Sequence, residues 1–249
     1  MCIRDRSSFF DIPGDHAEKL AQYLAAISLI DDQVGRILDA LQGRGLLRNT
    51  LLIYTSDHGM LVGQYGLYGK TNSTRPPNFY EETIRIPLIV YGPDNLLRPE
   101  QSRNELVDLL DLHATVIDYA HNGKTVDDEY GPGRSLRQML DGERNVNWRA
   151  VQFAERGNAR MASDGRWKLV RYYAQNADET PTDMWYDLVH PFGERLVSIP
   201  PPPTIRESLI SAMEEFFATY ETPEHSGRLM WSQPAPNSTT CPNFPIDCQ

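Results

Sequence analysis

The run Leu51-Leu52-Ile53-Tyr54-Thr55 stops at Ser56-Asp57-His58-Gly59, and that junction limits what the chain can become. A nearly unbroken apolar segment of this length reads as a strand, Thr50 to Ser56, buried on both faces in a parallel or mixed sheet. A second run, Ile86 to Tyr91, ends at Gly92-Pro93, a pair that punctuates strands. Between them, residues 59 to 79 form a long glycine-rich loop containing Pro76-Pro77; long loops in compact domains are usually functional. In an open α/β sheet, ligands bind just beyond the carboxyl ends of strands. Asp57 and His58 stand at such an end.

The flanking segments supply helices. Leu20, Leu24, Ile27, Val34, Leu38 and Leu41 fall on one helical face and predict a helix over 15–42, capped by Asp15 with Glu18. Leu106, Leu109, Leu110, Leu112, Val116 and Ile117 predict another over 104–120, and Ser135 to Leu140 a short one. After that the pattern changes. Ala150 to Ala154, Ala159 to Ser163 and Trp167 to Tyr172 read as strands, with a hairpin turn at Ser163-Asp164-Gly165-Arg166. Met184 to Val189 is extended or a turn, and Ile205 to Tyr220 is a final amphipathic helix. Strands in series followed by a helix give a small α+β subdomain with an antiparallel sheet. The expected organisation is an α/β domain over 7–145, the subdomain over 146–228 and an irregular tail over 229–249.

Composition excludes some functions. A formal charge of −10 over 249 residues argues against a nucleic-acid partner, whose phosphates call for a basic face. No apolar run approaches the roughly 20 residues of a membrane span. Cys2, Cys241 and Cys248 lie at the ends, so no disulfide framework supports the body; the last two can pair or stay free. Met1 to Arg6 has no signal-peptide core and differs in character from the rest of the chain, so the expectation is a polypeptide beginning part-way through a longer gene product.

Asp57 and His58 offer a carboxylate and an imidazole, donors that suit a divalent cation, and Gly59 allows the backbone to turn beside them. Taken alone, the tetrapeptide fits a strand-end turn with Asp57 capping the loop equally well. Lys70, in Gly66-Leu67-Tyr68-Gly69-Lys70, is a compact cation able to neutralise an oxygen of a sulfate or phosphate; taken alone it reads as a solvated lysine. Asn72 opens an Asn-Ser-Thr glycosylation pattern and is also a candidate substrate contact. His113 and the other histidines have no partner spacing and read as packed or solvated side chains.

Thr55-Ser56-Asp57-His58-Gly59, Gly63, Gly66-Leu67, Lys70, Tyr80-Glu81-Glu82 and Arg85-Ile86-Pro87-Leu88-Ile89-Val90, in this order and spacing, resemble the sulfatase family of the alkaline-phosphatase-like superfamily. Tyr23, Ile27, Asp31, Val34-Gly35, Leu38 and Leu41 resemble the helix before its strand, and Val107, Asp111-Leu112, Thr115 and Asp118 the helix after it. Trp185-Tyr186-Asp187-Leu188 with Pro191 and Glu194 resembles its C-terminal subdomain motif. The resemblance implies a mixed sheet with helices on both faces, N-terminally truncated here, plus the antiparallel subdomain. It implies that Asp57 and His58 are two ligands of a divalent metal, usually calcium, that Lys70 contacts the sulfate, and that Glu81, Glu82 and Arg85 are structural. It implies a sulfuric ester hydrolase acting on sulfated small molecules or glycans, periplasmic or extracellular.

One part of the family pattern is missing. The family carries an upstream Asp-Asp pair and a Cys (or Ser)-x-Pro-x-Arg motif whose first residue becomes formylglycine, the nucleophile. Cys2 has Arg6 four places on, but Arg4 stands where proline belongs; Cys241-Pro242 lacks the arginine, and Asp31-Asp32 lie inside a helix. Cysteine in the missing motif marks a sulfatase, whereas threonine marks a phosphodiesterase. The alternatives are thus a phosphodiesterase or phosphonate monoester hydrolase of the same superfamily, or a non-catalytic remnant that binds a metal or an anion.

Overall fold

The computed structural model describes residues 16–93, 97, 102–121, 131–144, 146–173, 180–191 and 193–222. The expected cap at Asp15 and the questions about Cys2, Cys241 and Cys248 lie outside these residues. The chain divides into two compact units between Gln152 and Phe153.

The first unit opens with α1, His16–Gly43. A 3-10 turn at Leu47–Asn49 leads into β1, Leu52–Thr55. β1 pairs antiparallel with β4, Leu88–Tyr91, placing Ile53 opposite Val90 and Thr55 opposite Leu88. The Thr55 hydroxyl donates to Pro87 O at 2.9 Å and ties the two strand ends together. The first strand was expected to be buried on two faces. Instead Tyr54, Ile89 and Tyr91 are exposed, because among the described residues no layer covers that side of the pair. α1 behaves similarly: its apolar stripe is real, yet none of its residues is buried.

The segment expected as one long loop is built from short pieces. β2, Leu61–Val62, and β3, Tyr68–Gly69, form a hairpin around a 3-10 turn at Gln64–Gly66. The Gln64 side chain accepts from Val62 N–H at 2.6 Å and closes that turn. Next come a 3-10 turn at Thr71–Ser73 and the four-residue α2, Glu81–Ile84. Such pieces are too short to show a hydrophobic period.

α3 runs from Leu109 to Ala120, five residues later than its pattern predicts. Asp108 accounts for the difference. Its side chain accepts from Leu110 and Asp111 N–H, while the Asp111 carboxylate accepts from Asp108 N–H, a reciprocal cap that fixes the start. Asp111 is fully buried and also binds Arg149 Nη1 at 2.6 Å and Arg134 N–H at 2.8 Å. Burial opposes the charged form of Arg149, but the Asp111 hydrogen bond and charge outweigh it and raise the guanidinium pKa. α4, Arg137–Leu140, is anchored by Leu136 N–H donating to Thr115 Oγ1 at 2.9 Å.

The second unit is an antiparallel sheet in chain order: β5 Gln152–Arg156, β6 Ala159–Ser163, β7 Trp167–Tyr172, β8 Thr182–Asp187 and β9 Arg195–Leu196. The β6–β7 turn forms where Ser163-Asp164-Gly165-Arg166 predicts it. Gly165 takes φ +87°, and Asp164 Oδ1 accepts from Arg166 and Trp167 N–H. β6 is buried along its whole length. α5, Pro203–Tyr220, buries Leu209, Met213 and Phe217, and Phe216 stacks on Phe153 at 4.2 Å. Each such apolar side chain contributes roughly 1.5–3 kcal/mol on burial. The aromatic residues of this region read from the sequence as its core; Trp185, Tyr186, Tyr172 and Tyr173 are buried in it, whereas Trp167 is only half-buried. Lys168 is buried within it and pairs with Glu194 at 2.9 Å.

Candidate active site

β1 delivers the functional end. Ser56 leaves the strand with its hydroxyl donating to His58 O at 2.8 Å. His58 N–H donates to Asp57 Oδ1 at 3.0 Å, so one carboxylate oxygen caps the loop, as the bland reading requires. The other oxygen does something else. Asp57 Oδ2 lies 3.2 Å from His58 Nε2. His58 Nδ1 is 2.9 Å from Gly59 O, and a carbonyl only accepts, so Nδ1 carries the ring proton. In the neutral ring Nε2 is then a bare lone pair facing a carboxylate oxygen. Two electron-rich atoms converge and require a cation or a proton between them. The Asp57 side chain is 80% exposed and that of His58 35%, leaving the pair open to a ligand.

These donors fit two positions of a divalent cation's shell. A backbone carbonyl on the far nitrogen is the usual device for aiming a metal-binding histidine. Among the described residues no group of three or more His, Cys, Asp or Glu side chains is placed to hold a metal, so the remaining ligands are not among them.

Gly59 is fixed by contact rather than by its turn. A Cβ there would stand 2.1 Å from Glu82 O, and Gly59 N–H donates to Thr83 O at 2.9 Å. The strand end is therefore pressed directly onto α2. Thr83, 1% exposed, donates from Oγ1 to Tyr80 O at 2.8 Å and to Asn78 Oδ1 at 3.2 Å. Asn78, 3% exposed, turns its amide to Thr71 O at 3.1 Å and Lys70 O at 3.3 Å. Ser73 N–H and Oγ also donate to Lys70 O, at 3.0 and 2.7 Å. A continuous path of hydrogen bonds thus joins the backbone of Lys70 to Gly59, beside His58.

Asp57 and His58 come together through side chains, whereas Lys70 is tied to them through its carbonyl. The Lys70 residue is exposed, as is Asn72 in the adjoining turn. Ser73 and Thr74 are buried, and the Thr74 hydroxyl donates to Pro76 O at 2.8 Å. Asn78 and Thr83, which organise the loop, carry no sequence signal of their own: a polar residue buried in a loop has no period. The only cue was the unusual loop length.

The hairpin is also held against α1. His16 Nδ1 is 2.7 Å from the Tyr68 hydroxyl, and Lys19 Nζ lies 4.4 Å above the Tyr68 ring. At the hairpin tip Tyr65 takes φ +56°, ψ +15°, a left-handed conformation that costs a residue with a side chain roughly 1 kcal/mol.

Residues 4–122 match the family model described as Sulfatase. The chain is 35% identical over 131 residues to an arylsulfatase of Clostridium perfringens, covering 52% of this chain and 25% of that one. It is 34% identical over 136 residues to the Homo sapiens N-acetylglucosamine-6-sulfatase, covering 54% and 23%. The chain thus spans about a quarter of the length of these curated relatives. Among solved structures, a Bacteroides thetaiotaomicron protein of glycosaminoglycan metabolism superposes with TM-score 0.64 at 21% identity, over 86% of this chain and 46% of that one. A phosphonate monoester hydrolase from Silicibacter pomeroyi gives TM-score 0.59 at 24% identity, over 76% and 38%. These likenesses give the fold, alkaline-phosphatase-like, with helices and antiparallel sheets. The Asp57–His58 junction, the lysine hairpin and the strand after it all fall inside the segment that matches the Sulfatase model.

Proposed function

We propose that this chain carries part of the metal site and the sulfate-binding cation of a sulfuric ester hydrolase acting on sulfated small molecules or glycans outside the cytoplasm. The observation that carries the reading is the convergence of Asp57 Oδ2 and His58 Nε2 at 3.2 Å, with Nδ1 committed to Gly59 O. Asp57 and His58 would hold the cation, which we take to be calcium. Bound there, it would polarise a sulfate oxygen as a Lewis acid. Lys70 would neutralise a second oxygen, and Asn72 would contact the substrate beside it. A cation placed ahead of the charge that develops on the sulfate favours the transition state over the bound ester. A Cys-x-Pro-x-Arg motif does not occur in the sequence, and the Asp-Asp pair ahead of the site, Asp31-Asp32, lies inside α1, so on this reading the nucleophile comes from outside these residues.

Calcium titration of the purified chain by calorimetry tests the reading. We expect saturable binding that Asp57→Ala and His58→Ala each abolish, sulfate binding that depends on calcium and is lost in Lys70→Ala, and no turnover of an aryl sulfate above buffer. Failure of calcium to bind, or turnover by the chain alone, overturns it.

A further inference from the structure

Tyr65 occupies a conformation that a tyrosine adopts only against a penalty, and glycine would adopt it freely. Its ring stacks on Tyr80 with centroids 4.2 Å apart and planes inclined by 19°. Even so stacked, Tyr65 remains 48% exposed. The site machinery holds both members in place. Tyr65 sits at the tip of the hairpin that ends in Lys70, closed by Gly63 N–H to Leu67 O at 2.8 Å and Leu67 N–H to Gln64 O at 2.9 Å. Tyr80 O accepts from Thr83, the residue that grips Gly59. Lys70 stands five positions after Tyr65, at most about 18 Å of extended chain, the reach of a sulfated mono- or disaccharide.

We infer that the Tyr65–Tyr80 stack is a platform for the sugar ring of a sulfated glycan whose sulfate meets Lys70. A tyrosine ring backed by a second ring is rigid and loses little conformational freedom on binding. Half-exposed, it offers a face to the apolar side of a pyranose while leaving the sugar hydroxyls in water. A flat aryl group would gain most from an enclosed slot, so the open platform favours a sugar. The strained backbone at Tyr65 aims the ring, and backbone strain of this kind gathers at ligand sites. The inference rests on the sulfatase reading for the sulfate, but the platform itself stands on different residues.

The test uses the full chain with calcium, titrated with inorganic sulfate, N-acetylglucosamine and N-acetylglucosamine 6-sulfate, with saturation-transfer NMR reporting the contacted sugar protons. The sugar sulfate should bind about fivefold more tightly than sulfate. In Tyr65→Ala that ratio should fall to about one, and in Tyr65→Phe it should persist. Tyr65→Gly should lose the ratio while raising the thermal midpoint, a combination that a merely structural tyrosine would not give. A ratio of one in the parent chain, or a full ratio in Tyr65→Ala, overturns the platform. Sugar binding that depends on Tyr65 without any sulfate binding overturns the anion site and leaves the platform standing. Binding of neither ligand overturns both.

Discussion

At the scale of single residues, the geometry of the candidate site is held by Gly59 and Asn78. Gly59 needs no special φ; it needs the absence of a Cβ. Gly59→Ala would drive a methyl to 2.1 Å from Glu82 O and 2.9 Å from its carbon, both backbone atoms. We expect a loss of at least ~2 kcal/mol, measured by urea denaturation, together with loss of cation binding. An unchanged midpoint would mean that α2 is free to retreat. The sequence singles out Asp57, His58 and Lys70 because their spacing resembles a known pattern. The contacts that they make were not legible there. That one Asp57 oxygen caps the loop while the other faces His58 is a matter of ångströms, which no spacing records.

Among the elements, periodicity decided what could be read. α1, α5 and the β6–β7 hairpin follow from apolar spacing and turn residues. The start of α3 was misplaced because Leu106 continues the apolar face, although Asp108 and Asp111 already spell a cap. β2, β3, β9 and α2 are two to four residues long and leave no pattern to detect. The second unit's sheet contains a feature that charge alone would have placed at the surface. Lys168 and Glu194 are 0% and 3% exposed, 2.9 Å apart. Breaking such a pair strands a buried charge, whereas replacing both members often costs little. Lys168→Met should lose about 3–5 kcal/mol and Lys168→Met/Glu194→Leu should regain most of it. A double variant no better than the single one would show that Glu194 has other essential partners, and the cycle is read from denaturation midpoints.

For the molecule as a whole, stability should respond to alkaline pH through the buried Tyr173 and the half-buried Tyr119. Burial, reinforced by the nearby Glu214 carboxylate, pushes the Tyr173 hydroxyl above its ordinary value of 10.0, and burial does the same for Tyr119. The folded state thus favours the neutral phenol. Its contribution is complete below pH 10.0 and is lost as pH rises through the elevated folded value. The thermal midpoint should fall above about pH 10, and Tyr173→Phe should flatten that fall. A pH profile identical in parent and variant would exclude Tyr173 as the source. Elsewhere the chain leaves apolar side chains open: Leu24, Leu29 and Ile37 on α1, and Ile89 and Tyr91 on β4, are all at least half exposed. Of these, sequence patterning picked out Leu24 on the helical stripe and Ile89 and Tyr91 in the second apolar run; a pattern names the face and not what covers it.

The contact between Gly59 and α2 has a mechanical consequence. Two surfaces that touch without clearance behave as one part, and a bearing with no play transmits every displacement. A ligand leaning on Tyr80, at the head of α2, would move the carbonyl of Thr83 and with it the peptide beside His58. A sugar on the tyrosines and a cation on the imidazole, as proposed, would then be coupled, and the aim of Nε2 would be adjusted from a distance by whatever rests on the rings.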